Sequence, residues 1–263
     1  HHVVQRHHRH LPHRHGGRFV FADHVIQAAR AVRERQLSAG GRRAAFGHDR
    51  LAARIAVAAE CSVLSVEYRL APEYPFPAAL EDAMLALQWV KQHYGAIGGD
   101  AGCIALAGDS AGGNIAAALA HEAAGDPAVV HQLLFYPVLD GRCDAPSYAK
   151  GHQGFLSATQ MRWYWDQYAP RDLRRDPRAS VAEAEIPACL APATIITAGH
   201  DPLHDEGVAY ADALTKAGLA AALHDYPAAI HGFASLIGMV PLADEAVDKA
   251  CLALQSAFAE GMI

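Results

Sequence analysis

This 263-residue chain has no run of about 18 apolar residues, which excludes a bilayer-spanning helix. Its amino-terminal residues also lack the apolar core of a secretory signal. Cysteine is scarce and unpaired in pattern: Cys61, Cys103, Cys143, Cys189 and Cys251 are odd in number, widely spaced and contain no CxxC pair. That excludes a zinc-ligand spacing and argues against a disulfide framework. It predicts buried free thiols in a reducing compartment, and the expected location is cytoplasmic. Lysine is absent from residues 1–47, where nine arginines face only Asp23 and Glu34, a net +7 against −6 for the whole chain and hence −13 for the rest. Eight of the seventeen histidines fall in the first 24 residues. The two regions differ in kind. The basic stretch rests on charge alone as a nucleic-acid arm, and no nucleic-acid partner is expected.

Apolar residues make up 52% of the chain, enough for the core of one large domain. From about residue 48 strand-like apolar runs alternate with segments of helical period, the sequence form of a parallel sheet covered by helices. Residues 48–60 read as a helix and 61–68 (CSVLSVEY) as a buried strand; 79–94 read as a helix and 102–108 (GCIALAG) as a strand ending in glycine. An Ala-rich helix follows over 110–124. Further strands are expected at 129–136, 193–198 and 221–226, and an amphipathic helix at 244–260 closes the chain. Residues 140–185 break the alternation. This polar segment carries Trp163, Tyr164, Trp165 and Tyr168 and reads as an insertion above the sheet, where substrates bind at strand carboxyl ends. Its aromatic residues serve either a lid or simple packing onto the body.

The chemistry centres on Gly108-Asp109-Ser110-Ala111-Gly112. A lone Gly-x-Ser-x-Gly arises by chance roughly one time in ten in a chain of this length, so its setting decides. Strand before, helix after and small residues on either side are what a serine held in a strained strand-to-helix turn requires. The turn also puts the N–H of Ala111 at a helix amino terminus, where it can donate to a developing oxyanion. A serine hydroxyl needs a base and a carboxylate to orient that base. Asp201 follows the 193–198 strand and His231 follows the 221–226 strand, in the chain order serine, acid, base. His200 and His204 flank Asp201 on one loop and leave no separate base. Asp205 and Glu206 fit the first turn of the next helix better than the acid's role. Asp109 adjoins Ser110, with its side chain expected to point away.

Four segments together resemble the hormone-sensitive-lipase-like esterases of the α/β-hydrolases, in the same order: residues 68–83 (YRLAPEYPFPAALEDA), 108–114 (GDSAGGN), 201–207 (DPLHDEG) and 231–233 (HGF). The resemblance covers residues 48–262. It implies an α/β-hydrolase fold, with a mostly parallel sheet, helices on both faces and a reduced helical cap. Within it, Ser110 is the implied nucleophile, Asp201 the acid, His231 the base and Ala111 an oxyanion donor. Residues 140–185 would form part of the cap, with Phe155, Trp163 and Trp165 lining an acyl pocket, and residues 68–73 would be structural. The family's His-Gly-Gly-Gly oxyanion motif is matched only by His15-Gly16-Gly17-Arg18, making Gly16 and Gly17 the candidate second donors. Residues 38–41 (SAGG) lie at a more usual spacing but lack the histidine. The residues before His15 do not read as the family's buried strand. Residues 1–47 are thus expected to be a truncated or frame-shifted version of the family's cap and first strands.

The expected activity is hydrolysis of short- to medium-chain carboxylic esters through an acyl-enzyme, on a small-molecule substrate and with no metal or organic cofactor. An amidase or deacetylase on the same three residues is the alternative, as is a ligand-binding protein on an impaired hydrolase scaffold. Homodimerisation through the sheet edge is common among such esterases and is a possible assembly.

Overall fold

In the computed structural model, which describes residues 19–23, 45–93, 103–150 and 155–261, six parallel strands form one sheet in the order β2-β1-β3-β4-β5-β6. The strands are β1 (Phe19–Asp23), β2 (Ser62–Val66), β3 (Ile104–Asp109), β4 (Val129–Phe135), β5 (Ala193–His200) and β6 (Ala221–Ile230). Helices α1 (Ala45–Ala58), α2 (Ala78–His93), α3 (Ala111–Glu122), α6 (His204–Lys216) and α7 (Pro241–Glu260) connect and close it. Parallel pairing needs such crossovers, and the alternation of strand and helix from residue 48 onward predicted them.

Side chains alternate between the two faces. Ile104 and Leu106 of β3 join Leu80, Leu87, Ile115, Tyr210 and Leu214 in a core beneath α2, α3 and α6. On the other face, Ala105 and Ala107 meet Leu51, Ile55, Val247, Leu254 and Phe258 from α1 and α7. Every residue of β3 is buried, as expected for a strand covered on both faces.

One strand differs from the sequence reading. No strand was read within residues 1–47, which were expected to be a truncated version of the first strands, yet β1 occupies an interior position between β2 and β3. Both neighbours supply complete parallel ladders, Phe19 opposite Ile104 and Ser62, Asp23 opposite Gly108 and Val66. A gap flanked by two strand edges recruits a short run that would be marginal alone.

The insertion holds α4 (Pro146–Ala149) and α5 (Ala158–Tyr168). α5 starts on a reciprocal cap: the Ser157 hydroxyl accepts the Gln160 N–H, and the Gln160 side chain accepts the Ser157 N–H. A third cluster, including Leu156, Met161 and Trp165 of the insertion with Phe76, Val138 and Leu203 of the body, fastens it down. Within the segment resembling the family's YRLAPE stretch, Asp82 accepts from the Arg69 backbone N–H at 2.8 Å and from its guanidinium at 2.9 Å.

Candidate active site

β3 ends at Asp109 and α3 begins at Ala111, so Ser110 is the whole turn. Its backbone has φ 58 and ψ −118, a conformation costing a non-glycine residue about 1–3 kcal/mol. The flanking glycines are required by contact. A Cβ on Gly108 would lie 2.2 Å from the Gly112 carbonyl, and one on Gly113 would lie 2.8 Å from Pro137 Cβ. The turn is tied to the next strand by Ser110 N–H donating to Phe135 O at 2.9 Å and Val138 N–H donating to Ser110 O at 3.1 Å.

β5 and β6 overrun the rest of the sheet. After Ala198 pairs with Tyr226 the register shifts, and His200 pairs with Ile230. Two residues of β5 therefore match four of β6, a bulge containing Pro227, which supplies no ladder N–H. Gly199 allows the close approach: a Cβ there would lie 2.3 Å from Pro227 O. With His200 beside Ile230, the next residues, Asp201 and His231, leave the two strands side by side.

The result is a line of three side chains. His231 Nδ1 lies 2.7 Å from Asp201 Oδ2, and His231 Nε2 lies 2.9 Å from Ser110 Oγ. Asp201 is 0% exposed, and its other oxygen accepts the Leu203 N–H at 2.9 Å. An acceptor-only carboxylate makes Nδ1 the protonated nitrogen of the neutral ring and leaves Nε2 to accept from the serine. Ala111 opens α3, so its N–H is among the helix's unpaired first-turn donors.

The family model described as alpha/beta hydrolase fold matches residues 42–235. The chain belongs to the α/β-hydrolase family. Its resemblance to the hormone-sensitive-lipase-like esterases holds among the relatives of this hydrolase. It is 41% identical over 216 residues to esterase LipI of Mycobacterium tuberculosis, covering 79% of this chain and 67% of that protein. It is 39% identical over 214 residues to an ethyl acetate hydrolase of Pseudomonas putida, covering 79% of this chain and 67% of that protein. The solved esterase of Pyrobaculum calidifontis superposes with a TM-score of 0.78 at 35% identity, covering 92% of this chain and 78% of that one.

The rival residues of this hydrolase go elsewhere. His204 sits between Asp205, at 2.7 Å, and Asp225, at 3.1 Å, and links α6 to β6. His200 is exposed at the end of β5. Asp205 and Glu206 are in the first turn of α6 as expected, and their contacts go beyond the helix dipole. Asp205 accepts the Ser147 N–H at 2.8 Å. Buried Glu206 accepts the N–H groups of Leu139 and Asp140, at 2.7 and 3.0 Å, and the Tyr148 hydroxyl at 2.6 Å. Glu206 thus holds the loop after β4, a role for which the sequence carried no local signal.

Burial pushes the Glu206 carboxyl up to about 8, against the pull of the three donors. The folded state therefore binds a proton that the unfolded chain releases near 4.5. The associated stability is full below that value and is lost as pH rises through about 8. Glu206→Gln keeps a side chain of the same shape and cannot titrate. Across that window the stability of the wild type, measured against the variant, is expected to fall by up to about 1.4 kcal/mol per pH unit. Chemical denaturation of both proteins between pH 5 and 8.5 measures this, and parallel stability curves would contradict it.

The three expected pocket residues separate. Phe155 is 73% exposed, and its ring lies 4.0 Å from where a Cβ on Gly232 would be, beside His231. Trp163 is at the surface, edge-on to Tyr164 with centroids 5.2 Å apart. Trp165 is 2% exposed within the cluster that fastens the insertion, so of the two roles open from sequence it takes packing. Gly16 and Gly17 lie outside the described residues. They precede β1 in the chain, whereas the β1 residue level with Gly108 is Asp23. No group of three or more His, Cys, Asp or Glu side chains suited to a metal ion occurs among the described residues. No helix among them is long and apolar enough to cross a membrane.

Proposed function

We propose that this chain is a serine carboxylesterase that cleaves short- to medium-chain carboxylic esters through an acyl-enzyme. The observation that carries the reading is the unbroken line Ser110–His231–Asp201 at 2.9 and 2.7 Å. Ser110 Oγ attacks the ester carbonyl as its proton passes to His231 Nε2. Asp201 stabilises the imidazolium, and the N–H of Ala111 donates to the oxyanion. Collapse of the tetrahedral species expels the alcohol, which takes the proton from Nε2. Water, deprotonated in turn by His231, then attacks the acyl-enzyme; the acid leaves and Ser110 regains its proton. A second oxyanion donor belongs at the carboxyl end of β1, where Asp23 is level with Gly108; the motif glycines Gly16 and Gly17 precede the other end of that strand and are not given the role. Phe155, exposed beside Gly232, forms an aromatic wall for the substrate.

An organophosphate with a small alkyl group is expected to inactivate the protein with one adduct, located on Ser110 by peptide mass spectrometry. In a p-nitrophenyl series, kcat/KM is expected to be highest for acetate or butyrate and lowest for palmitate. An adduct on a different residue would remove the nucleophile assignment, and a maximum at palmitate would remove the chain-length assignment.

A further inference from the structure

Tyr136 has no part in the scheme above, yet several observations meet on it. It follows β4 directly, and its backbone lies in the left-handed region at φ 35. A bulky side chain takes that conformation only when its surroundings hold it there. Its N–H donates to Ile196 O of β5 at 2.6 Å, and the neighbouring residues Phe135 and Val138 hydrogen-bond Ser110 from both sides. The side chain is 1% exposed. Its ring centroid lies 4.9 Å from that of His231, tilted by 59°, and 5.9 Å from Phe233. The buried hydroxyl makes no hydrogen bond of ordinary geometry and faces the backbone of Ala234.

We propose that Tyr136 is a positioning residue for His231: its ring, held by the strained turn after β4, fixes the plane of the imidazole relative to Ser110. The two hydrogen bonds of the imidazole hold its nitrogens but leave the ring free to rock about the line joining them. Packing by an aromatic neighbour removes that freedom. Because the same turn is bonded to Ser110, the base and the nucleophile share one support. This inference rests on the proposed roles of Ser110 and His231. It assigns the effect to the ring, since an unpaired buried hydroxyl is a stability cost rather than a gain.

The test compares Tyr136→Phe, Tyr136→Leu and Tyr136→Met with wild type and Ser110→Ala. kcat and KM are measured on p-nitrophenyl butyrate and scaled to active sites titrated with an organophosphate. Tyr136→Phe is expected to retain kcat within about threefold and to raise or leave unchanged the melting temperature. The Leu and Met variants are expected to lose about 10- to 100-fold in kcat per titrated site, with KM within about threefold. Unchanged kcat per site in the Leu and Met variants, or a loss in Tyr136→Phe equal to theirs, would overturn the proposal. Residual activity in Ser110→Ala equal to wild type would instead overturn the esterase reading on which it rests.

Discussion

Ser110→Ala is expected to lower kcat on p-nitrophenyl butyrate by about 10⁶-fold while leaving the folded state intact. The size follows from the arrangement: Ser110 Oγ is the group that His231 Nε2 faces at 2.9 Å, and no acyl-enzyme forms without it. What remains is stabilisation by oxyanion donors and binding, on the order of 10³ to 10⁴ over the reaction in water. The strained backbone at φ 58 stays in place in the variant, since it is imposed by the glycine contacts and by the hydrogen bonds to Phe135 and Val138. The melting temperature is therefore expected to change little. Wild-type and variant rates that coincide at background would end the enzymatic reading, and a variant that keeps most of its activity would end the assignment of Ser110.

Asp201→Asn is the second large effect, about 10⁴-fold in kcat. The substitution is nearly isosteric, and the Leu203 N–H still has an oxygen to donate to. The 2.7 Å contact to His231 Nδ1 is then satisfied by an amide NH₂, a donor where there was an acceptor. The neutral imidazole responds by moving its proton to Nε2, which can no longer accept from Ser110. The acid is 0% exposed, so water does not restore the original arrangement. Measured kcat/KM across pH 6–9 checks this. A loss under about tenfold would mean that Asp201 does not set the tautomer.

Ser110, Asp201 and His231 were legible because each follows a recognisable apolar strand, and a strand end is a place in space as well as in sequence. The site's supports were less so. Tyr136 and Glu206 act across the fold, on residues 95 and 67 positions away, and local pattern carries no trace of such partners. β1 was missed because Phe19 to Ala22 is too short to signal a strand, and its place is determined by the edges of β2 and β3. The overrun of β5 and β6 was hidden by Gly199 and Pro227, residues that read as strand terminators and here make a bulge. Trp165 illustrates the converse. The sequence placed it in the aromatic cluster of the insertion, while the choice between pocket and packing depended on Phe76 and Leu203, remote in sequence.

That bulge makes chain length a catalytic variable. The pairing of His200 with Ile230 sets acid and base shoulder to shoulder, and each strand residue advances the chain by about 3.3 Å and reverses the side-chain direction. Losing one residue between Tyr226 and His231, or gaining one between Ala198 and Asp201, would turn the base or the acid away from its partner without touching either. Insertions and deletions that this hydrolase can absorb in its surface connections are therefore excluded from these two short stretches, where spacing is as much a part of the site as the side chains.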